Sequence, residues 1–240
     1  MRILLTNDDG IDAPGLAALE SALSARYEVW VCAPDGERSG FSHRIQLHGP
    51  LKIRNRGPQR FDCSGSPADC VFLAQNGKFV PPVDAVVSGI NQGPNLGTDT
   101  LYSGTCAAAR QAALFGLPAL AVSHASLQGP WDFRTGAEHI AGRLEELLAL
   151  APPGHFVNLN LPETPVLPLE IREATLVVRK YHDRLVTFTD PSGDLWCWAD
   201  GLLQPETPGS GTDADWTSRG VVSWTALPAE PASTCVGAKP

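Results

Sequence analysis

The sequence predicts an α/β fold: a Rossmann-like, three-layer α/β/α arrangement around a mostly parallel sheet, with a C-terminal antiparallel β-hairpin extension. Two observations support this prediction. Up to residue 162, short apolar runs alternate with segments of helical periodicity, a pattern typical of βαβ crossovers that place helices on both faces of a parallel sheet. From about Glu163 onward, long helical patterns stop and β-like alternation takes over.

The apolar runs and the periodic segments between them predict the order of strands and helices in the first part. Each strand is a short apolar run, and each helix repeats apolar residues at three- or four-residue intervals. Strands are expected at residues 2–6, 28–33, 85–88, 119–123 and 155–159. Helices are expected at residues 15–24 after Pro14, from Ser66-Pro67 to a C′ glycine at Gly77, at 104–115 before Gly116 and Pro118, and at 135–150.

The second part of the chain is β-rich. Residues 171–189 and 195–203 alternate in a β-like way, and residues 217–227 have the composition of a final strand. Extensions of this kind often hold copies of a chain together, sometimes by exchange between subunits. We therefore expect three segments: an α/β core at residues 1–162, a β-rich extension and oligomerisation arm at 163–227, and a disordered tail at 228–240.

Composition and charge exclude several classes of function. Of the 240 residues, 43% are hydrophobic and 18% are charged, which is ordinary for a globular protein with a full core. The net charge of −8 argues against a nucleic-acid polymer as partner, because phosphate backbones need a basic face. No apolar run approaches the roughly 18 residues that span a bilayer, so we expect no membrane partner.

The six cysteines indicate a reducing compartment. None is spaced as CxxC or as in a zinc finger, and most lie in apolar stretches such as VWVCAP and ADCVFL. Buried thiols of this kind are typical of cytosolic proteins. The N-terminus also lacks a charged segment followed by a long apolar one, so a cytoplasmic location is expected.

The stretch NDDG places two adjacent carboxylates, Asp8 and Asp9, directly after the first strand. Both can approach one hard cation, whose charge cancels their mutual repulsion. The alternative is a solvated turn, since Asn, Asp and Gly are common turn residues. The stretch by itself favours the turn, so the choice depends on what lies nearby.

Two further loops bring short oxygen-bearing side chains to the same edge of the predicted sheet. Ser39 lies in PDGERSGFSH after the second strand, and Asn91 follows the strand at residues 85–88. Taken alone, the loop at residues 34–43 favours a plain mobile loop. Ligands of parallel sheets bind at the carboxyl ends of the strands, and there these side chains join Asp8 and Asp9.

The stretch SGINQGPNLGTDTLYSGT, at residues 88–105, has the composition of a phosphate site. Its polar, glycine-rich loop leads into Ser103-Gly104-Thr105 at the start of the alanine-rich helix. Backbone N–H groups at a helix N-terminus bind phosphate, whereas the alternative is that Ser103 only caps the helix. Capping does not explain the composition of the preceding loop, so the phosphate interpretation is favoured. The chain contains no GxxxxGK[ST] P-loop, no GxGxxG after the first strand and no GxSxG elbow.

Four motifs, in this order, resemble the SurE family of survival proteins, which are metal-dependent nucleoside monophosphate phosphatases. They are LLTNDDGIDAPG, APDGERSGFSH, GSPADCV and VVSGINQGPNLGTDTLYSGTCAAA…GLPALAVS. The similarity covers most of residues 1–125 and resumes in DPSGDLWCWADG and GTDADWTSRGVVSWTAL. The chain departs from the family pattern at Arg44-Ile45-Gln46, which affects the expected base and sugar preference, and at Gln111-Ala112, which affects helix packing.

The resemblance implies a substrate, a cofactor and a set of site residues. The substrates would be nucleoside 5′- or 3′-monophosphates, and the protein would form a homodimer or homotetramer. One divalent ion per subunit, Mg²⁺ or Mn²⁺, would be held by oxygen-bearing side chains: Asp8, Asp9, Ser39 and Asn91. The phosphate site would be lined by four residues: Asn95, Ser103, Gly104 and Thr105. The residues expected to be catalytic are Asp8, Asp9 and Asn95.

The expected reaction is hydrolysis of a phosphomonoester by metal-assisted attack of water. Asp8 or Asp9 would orient the water, while Asn95 would stabilise charge on the phosphoryl oxygens. A phospho-aspartate intermediate is the rival mechanism. The alternative functions are a phosphatase for sugar phosphates or short-chain polyphosphate, and a non-catalytic binder of nucleotide or phosphate.

Overall fold

The computed structural model of the chain describes residues 1–166, 168–182, 184–199, 202–203 and 208–231. The part of the expected tail beyond residue 231, with Cys235, lies outside the described residues. Among the residues that are described, no helix is long and apolar enough to cross a membrane. The strands are β1 (Arg2–Thr6), β2 (Glu28–Pro34), β3 (Ile53–Gly57), β4 (Arg60–Cys63), β5 (Ala85–Asn91), β6 (Ala119–His124), β7 (His155–Leu161), β8 (Ile171–Glu173), β9 (Tyr181–His182), β10 (Leu185–Thr189), β11 (Leu195–Ala199), β12 (Leu202–Leu203) and β13 (Val222–Pro228). The helices are α1 (Pro14–Ser24), α2 (Pro67–Asn76), α3 (Gly104–Leu114), α4 (Phe133–Leu148) and α5 (Asp213–Ser218), with a 3₁₀ turn at Gly97–Leu101.

Nine strands form one mixed sheet in the order β3-β4-β2-β1-β5-β6-β7-β13-β8. The pairings from β4 to β7 are all parallel, whereas β3 runs antiparallel to β4 and β13 antiparallel to β7. Ile3 of the interior strand β1 lies opposite Val29 of β2 on one side and Ala85 of β5 on the other. The chain first forms the strands on the β2 side of β1 and then crosses to form β5 on the other side. The topological switch point of the sheet therefore lies between β1 and β5.

Helices cover both faces of this sheet. Successive side chains of β1 point to opposite faces. Ile3 and Leu5 are fully buried in the core formed with α1 and α4, while Leu4 is fully buried in the core formed with α2 and α3. The predicted three-layer α/β/α fold is therefore confirmed.

Local sequence explains where several helices begin and end. Ser66 starts α2 with a capping box, in which its hydroxyl and the Asp69 carboxylate each accept from the other residue's backbone N–H. The prediction of Gly77 as a C′ glycine is wrong: Gly77 is the C-cap itself, with a φ of −86°, and the positive φ of 59° falls on Lys78. The fourth helix begins at residue 133, not 135, because Asp132 caps it.

Strands β3 and β4, the 3₁₀ turn and helix α5 have no counterpart among the predictions. Strand β3 has the sequence IRNRG, which lacks apolar alternation. Its residues Arg54 and Arg56 instead form ion pairs with the buried carboxylate of Asp62 on β4. Helix α5 forms where only the approach to a final strand was expected, with the Thr212 side chain accepting from the backbone N–H of Asp215. The final strand consequently begins at residue 222 and not at 217.

The C-terminal part of the chain divides between the main sheet and two small ones. Strand β13 pairs with β7 along residues 223–228, and β8 adds to β13 at the edge of the main sheet. Strands β10 and β11 form a separate antiparallel hairpin, and β9 pairs with β12. The predicted antiparallel hairpin is thus present, while β8 and β13 complete the core sheet.

Candidate active site

A cavity of about 380 Å³ opens at the carboxyl end of the sheet, beside the β1–β5 switch point. Asp8, Ser39 and Asn91 reach it from the ends of three different strands, as their positions in the sequence led us to expect. The cavity is lined by residues from these loops, from the 3₁₀ turn and from β9: Asp8, Ser39, Gly40, Asn91, Asn95, Asp99, Tyr102, Ser103 and Tyr181.

Asp8 is buried against the first turn of α3. The Thr105 hydroxyl donates a hydrogen bond to Oδ1 of Asp8. A Cβ on Gly104 would lie 2.9 Å from Oδ2 of the same carboxylate, so only glycine allows the helix to approach this closely. Burial raises the pKa of Asp8 from its ordinary value. The sequence Gly-Thr at the start of α3 therefore positions this carboxylate.

Asp9 lies next to Asp8 and is less buried. Its Oδ2 accepts a hydrogen bond of 3.2 Å from the backbone N–H of Gln92, in the loop after β5. Burial, and then the charge of Asp8, raises the pKa of Asp9 to about 7. Among the described residues, neither carboxylate forms an ion pair with Lys or Arg, so the pair lacks a compensating positive charge.

The two other proposed ligands also carry oxygen. Asn91 turns its amide nitrogen toward the carbonyl oxygen of Gly93, at 2.8 Å, and Ser39 is held by a 2.7 Å hydrogen bond from its backbone N–H to Glu37. The described residues contain no cluster of three or more His, Cys, Asp or Glu side chains that would hold a metal. Two uncompensated carboxylates with a hydroxyl and a carboxamide nevertheless fit a hard divalent ion, which prefers oxygen donors.

The start of α3 forms another wall of the cavity. Ser103 lines the cavity and caps α3, since its hydroxyl accepts a 3.0 Å hydrogen bond from the backbone N–H of Cys106. Gly104 and Thr105 do not line the cavity and are buried behind Ser103, where they contact Asp8. Both interpretations of Ser103, cap and phosphate ligand, are therefore compatible with its position.

Asn95 is held in place by a polar network that the sequence interpretation missed. Its amide nitrogen donates to Ser123 Oγ at 2.7 Å, and its backbone N–H donates to Asn160 Oδ1 at 2.9 Å. Its carbonyl oxygen accepts from Asn158 and Asn160, at 2.9 and 3.1 Å. The signal in the sequence is HFVNLNL, a buried strand that carries two asparagines.

A second missed group lies at the mouth of the cavity. Asp99 in the 3₁₀ turn accepts a 2.8 Å hydrogen bond from the Tyr181 hydroxyl and a 2.5 Å ion-paired bond from Arg179. Tyr102 lines the cavity from the other end of the same turn. Residues 179–181 belong to the part of the chain expected to mediate assembly, and nothing in their local sequence indicates this contact with residue 99.

Comparison with known proteins agrees with the motifs and the fold. The family described as "Survival protein SurE" matches residues 3–183. Proteins named 5′-nucleotidase SurE include one from Heliobacterium modesticaldum, 39% identical over 95% of this chain and 86% of its own, and one from Chloroflexus aggregans, 44% identical over 94% and 92%. The crystal structure of the SurE protein from Aquifex aeolicus covers 97% of this chain and 95% of that one, with a TM-score of 0.81 and 31% identity. The chain therefore belongs to the SurE family, and it is an enzyme.

Proposed function

We propose that this enzyme is a metal-dependent 5′-nucleotidase, a phosphomonoesterase that converts nucleoside 5′-monophosphates, and also 3′-monophosphates, to nucleoside and phosphate. The names of its relatives support this reaction. The metal requirement rests on one observation: Asp8 and Asp9 lie side by side, with raised pKa values and no basic partner among the described residues. Two such carboxylates need a cation to be ionised together.

The oxygen-bearing side chains at the carboxyl end of the sheet would hold one Mg²⁺ or Mn²⁺ ion. When bound, the ion supplies positive charge for the phosphoryl oxygens and lowers the pKa of a water molecule. The side chains that would hold it are Asp8, Asp9, Ser39 and Asn91.

Asn95 and the start of α3 would hold the phosphate in the same cavity. The Asn95 amide has a second N–H besides the one bonded to Ser123, and this N–H can donate to a phosphoryl oxygen. The Ser103 hydroxyl lines the same space at the N-terminus of α3, whose dipole favours negative charge. These donors stabilise the charge on the equatorial oxygens as the leaving group departs.

One of the two carboxylates would orient the attacking water. Asp8 lines the cavity, although its Oδ1 already accepts from Thr105, whereas Asp9 is less buried and does not line the cavity. In the rival mechanism, Asp8 or Asp9 attacks phosphorus and forms a phospho-aspartate. Acid quenching during turnover of ³²P-labelled AMP separates the two, since only the rival leaves label on the protein that hydroxylamine removes.

The proposal is tested by measuring phosphate release from AMP with Mn²⁺ or Mg²⁺, and again with a chelator. We expect release that the chelator abolishes and that either metal restores. Release that persists in the chelator would refute the metal site. Exclusive turnover of sugar phosphates or short polyphosphate would instead support the alternative phosphatase.

We also propose that the hairpin β10–β11 joins copies of the chain into a homodimer or homotetramer. The hairpin exposes a cluster of large apolar side chains, including Phe188, Trp196 and Trp198. Clusters of this kind are typical of protein–protein contacts. A cytoplasmic location stays a prediction, based on the free thiols of the described cysteines.

A further inference from the structure

The cavity has a polar floor and an aromatic mouth. Asp8, Asn95 and Ser103 are 3%, 5% and 6% exposed, whereas Tyr102 and Tyr181 are 65% and 42% exposed. A volume of about 380 Å³ falls within the range of pockets that enclose whole small molecules, and a phosphate group alone occupies little of it. A phosphomonoester bound with its phosphate at the floor must therefore extend its organic group past the tyrosines.

Tyr181 is fixed in orientation before any ligand arrives. Its hydroxyl donates to Asp99 Oδ1 at 2.8 Å, and Arg179 donates to the other oxygen of Asp99 at 2.5 Å. The Arg179 guanidinium also lies 5.9 Å from the centre of the Tyr181 ring. Burial and the hydrogen bond to Asp99 raise the pKa of Tyr181 to about 12, so its hydroxyl stays a donor. The ring is thus a pre-oriented apolar face and not a free surface side chain.

The segment that carries Tyr181 is itself attached to the 3₁₀ turn. The buried carboxylate of Asp213 accepts from the backbone N–H of Gly97, at 2.7 Å, and of Val177, at 3.0 Å. The Thr98 hydroxyl donates to the carbonyl oxygen of Arg179 at 3.2 Å. Residues 177–181 are therefore anchored to residues 97–99 at several points, and the mouth of the cavity is preformed.

We propose that Tyr181, together with Tyr102, forms the binding surface for the planar base of a nucleoside monophosphate. This inference rests on the proposed function and names the part of the substrate that the mouth recognises. An aromatic ring stacks on any base without reading its hydrogen-bonding edge, and loss of one such stack weakens binding roughly tenfold. The site would therefore prefer nucleotides to sugar phosphates while discriminating weakly among bases.

The test compares AMP with ribose 5-phosphate, which has the same phosphate and sugar but no base. The measured quantity is the ratio of kcat/KM for AMP to kcat/KM for ribose 5-phosphate, in the presence of Mn²⁺. This ratio does not depend on how much of a variant is folded, because both substrates report on the same active molecules. The variants are Tyr181→Ala, which removes the ring, and Tyr181→Phe, which keeps it. Leu101→Ala is the matched control, since Leu101 is exposed on the same turn but does not line the cavity.

We expect Tyr181→Ala to lower the ratio about tenfold, through a higher KM for AMP. Tyr181→Phe should keep most of the ratio, and Leu101→Ala should leave it unchanged. An unchanged ratio in Tyr181→Ala would overturn the inference even if AMP is hydrolysed. A wild-type ratio near one would do the same, while wild-type protein that releases phosphate from neither compound would refute the proposed function itself.

Discussion

Two regions of the molecule reverse the usual rule that polar side chains lie outside and apolar side chains inside. At the floor of the cavity, the carboxylate of Asp8 and the amide of Asn95 are buried. On the hairpin β10–β11, Phe188, Trp196 and Trp198 are each about half exposed, at 50%, 55% and 54%. Both regions depart from the pattern of an ordinary globular surface and interior, and such departures are typical of functional sites.

The two regions differ in the partners that their buried polar and exposed apolar side chains contact. The floor is satisfied from within the chain, because Thr105 donates to Asp8 and Asn160 bonds both backbone groups of Asn95. The hairpin aromatics pack against one another: the centre of the Phe188 ring lies 6.2 Å from the ring centres of Trp196 and Trp198. A change at the floor should therefore alter the chemistry, whereas a change on the hairpin should alter association.

The largest expected effect comes from neutralising one floor carboxylate. Asp9→Asn removes a charged ligand from the proposed metal site, so we expect phosphate release from AMP to fall on the order of a thousandfold. The protein should stay folded, because an amide oxygen can still accept from the Gln92 N–H and the repulsion from Asp8 is lost. Activity is measured across a Mn²⁺ titration, and folding by circular dichroism.

The control for this change is Asp12→Asn, because the Asp12 side chain is 77% exposed and ion-paired with Arg56 at the surface. It should keep nearly full activity. A folded Asp9→Asn protein with wild-type turnover and metal dependence would show that the acidic pair is only a turn.

The second effect concerns the network beneath Asn95. Asn160→Leu keeps the branching and the number of side-chain heavy atoms but removes both hydrogen bonds to the Asn95 backbone. Displacement of a positioning group by about 1 Å costs roughly a hundredfold in rate, so we expect kcat to fall by this order while KM changes little. The measurement is steady-state kinetics with AMP and saturating metal.

Asn76→Leu is the matched control for the network, because the Asn76 amide bonds only the preceding turn of its own helix. Asn160→Asp, which keeps the acceptor and loses the donor, should lie between wild type and Asn160→Leu. If kcat is unchanged in a folded Asn160→Leu protein, Asn95 does not need this support for catalysis.

The difference between the floor and its surroundings also explains what the sequence could predict. The segments ILL in β1 and AVVS in β5 are apolar runs, so their burial can be predicted from their own residues. Strand β3 was missed because the charges of Arg54 and Arg56 are compensated by Asp62, a partner that local sequence does not identify.

The same reasoning applies to the site. Asp8 and Ser39 follow strands and Asn91 ends one, so the rules for parallel sheets bring them to one edge. Asn160 supports Asn95 from 65 residues away, and Tyr181 reaches Asp99 across 82 residues. No periodicity or motif encodes these contacts, because they depend on how the C-terminal segment returns to the sheet.

The third effect concerns the connection between the two parts of the chain. Asp213→Ala removes the buried carboxylate that accepts from the backbone N–H groups of Gly97 and Val177. Because these N–H groups then lack an acceptor, the free energy of unfolding should fall by about 2 kcal/mol. Because the same groups hold the mouth of the cavity, KM for AMP should also rise. Urea denaturation and kinetics measure the two effects, with the exposed Asp194→Ala as control; unchanged values in both would show that Asp213 does not connect these segments.

The smallest effect on catalysis is expected on the hairpin. Removing all residues after about 204 would also remove β13, which pairs with β7 in the core sheet, so substitutions on the hairpin itself are the cleaner test.

Replacement of both Trp196 and Trp198 by Ser removes most of the exposed aromatic surface and leaves the main sheet intact. We expect kcat/KM for AMP to change by no more than about twofold, as for surface substitutions in general. Sedimentation velocity should show a shift to smaller species, because the double variant lacks the exposed apolar surface that would hold copies of the chain together. A double variant that sediments like the unchanged chain would assign assembly to another surface, and one that loses activity with its assembly would show that the floor depends on a neighbouring copy.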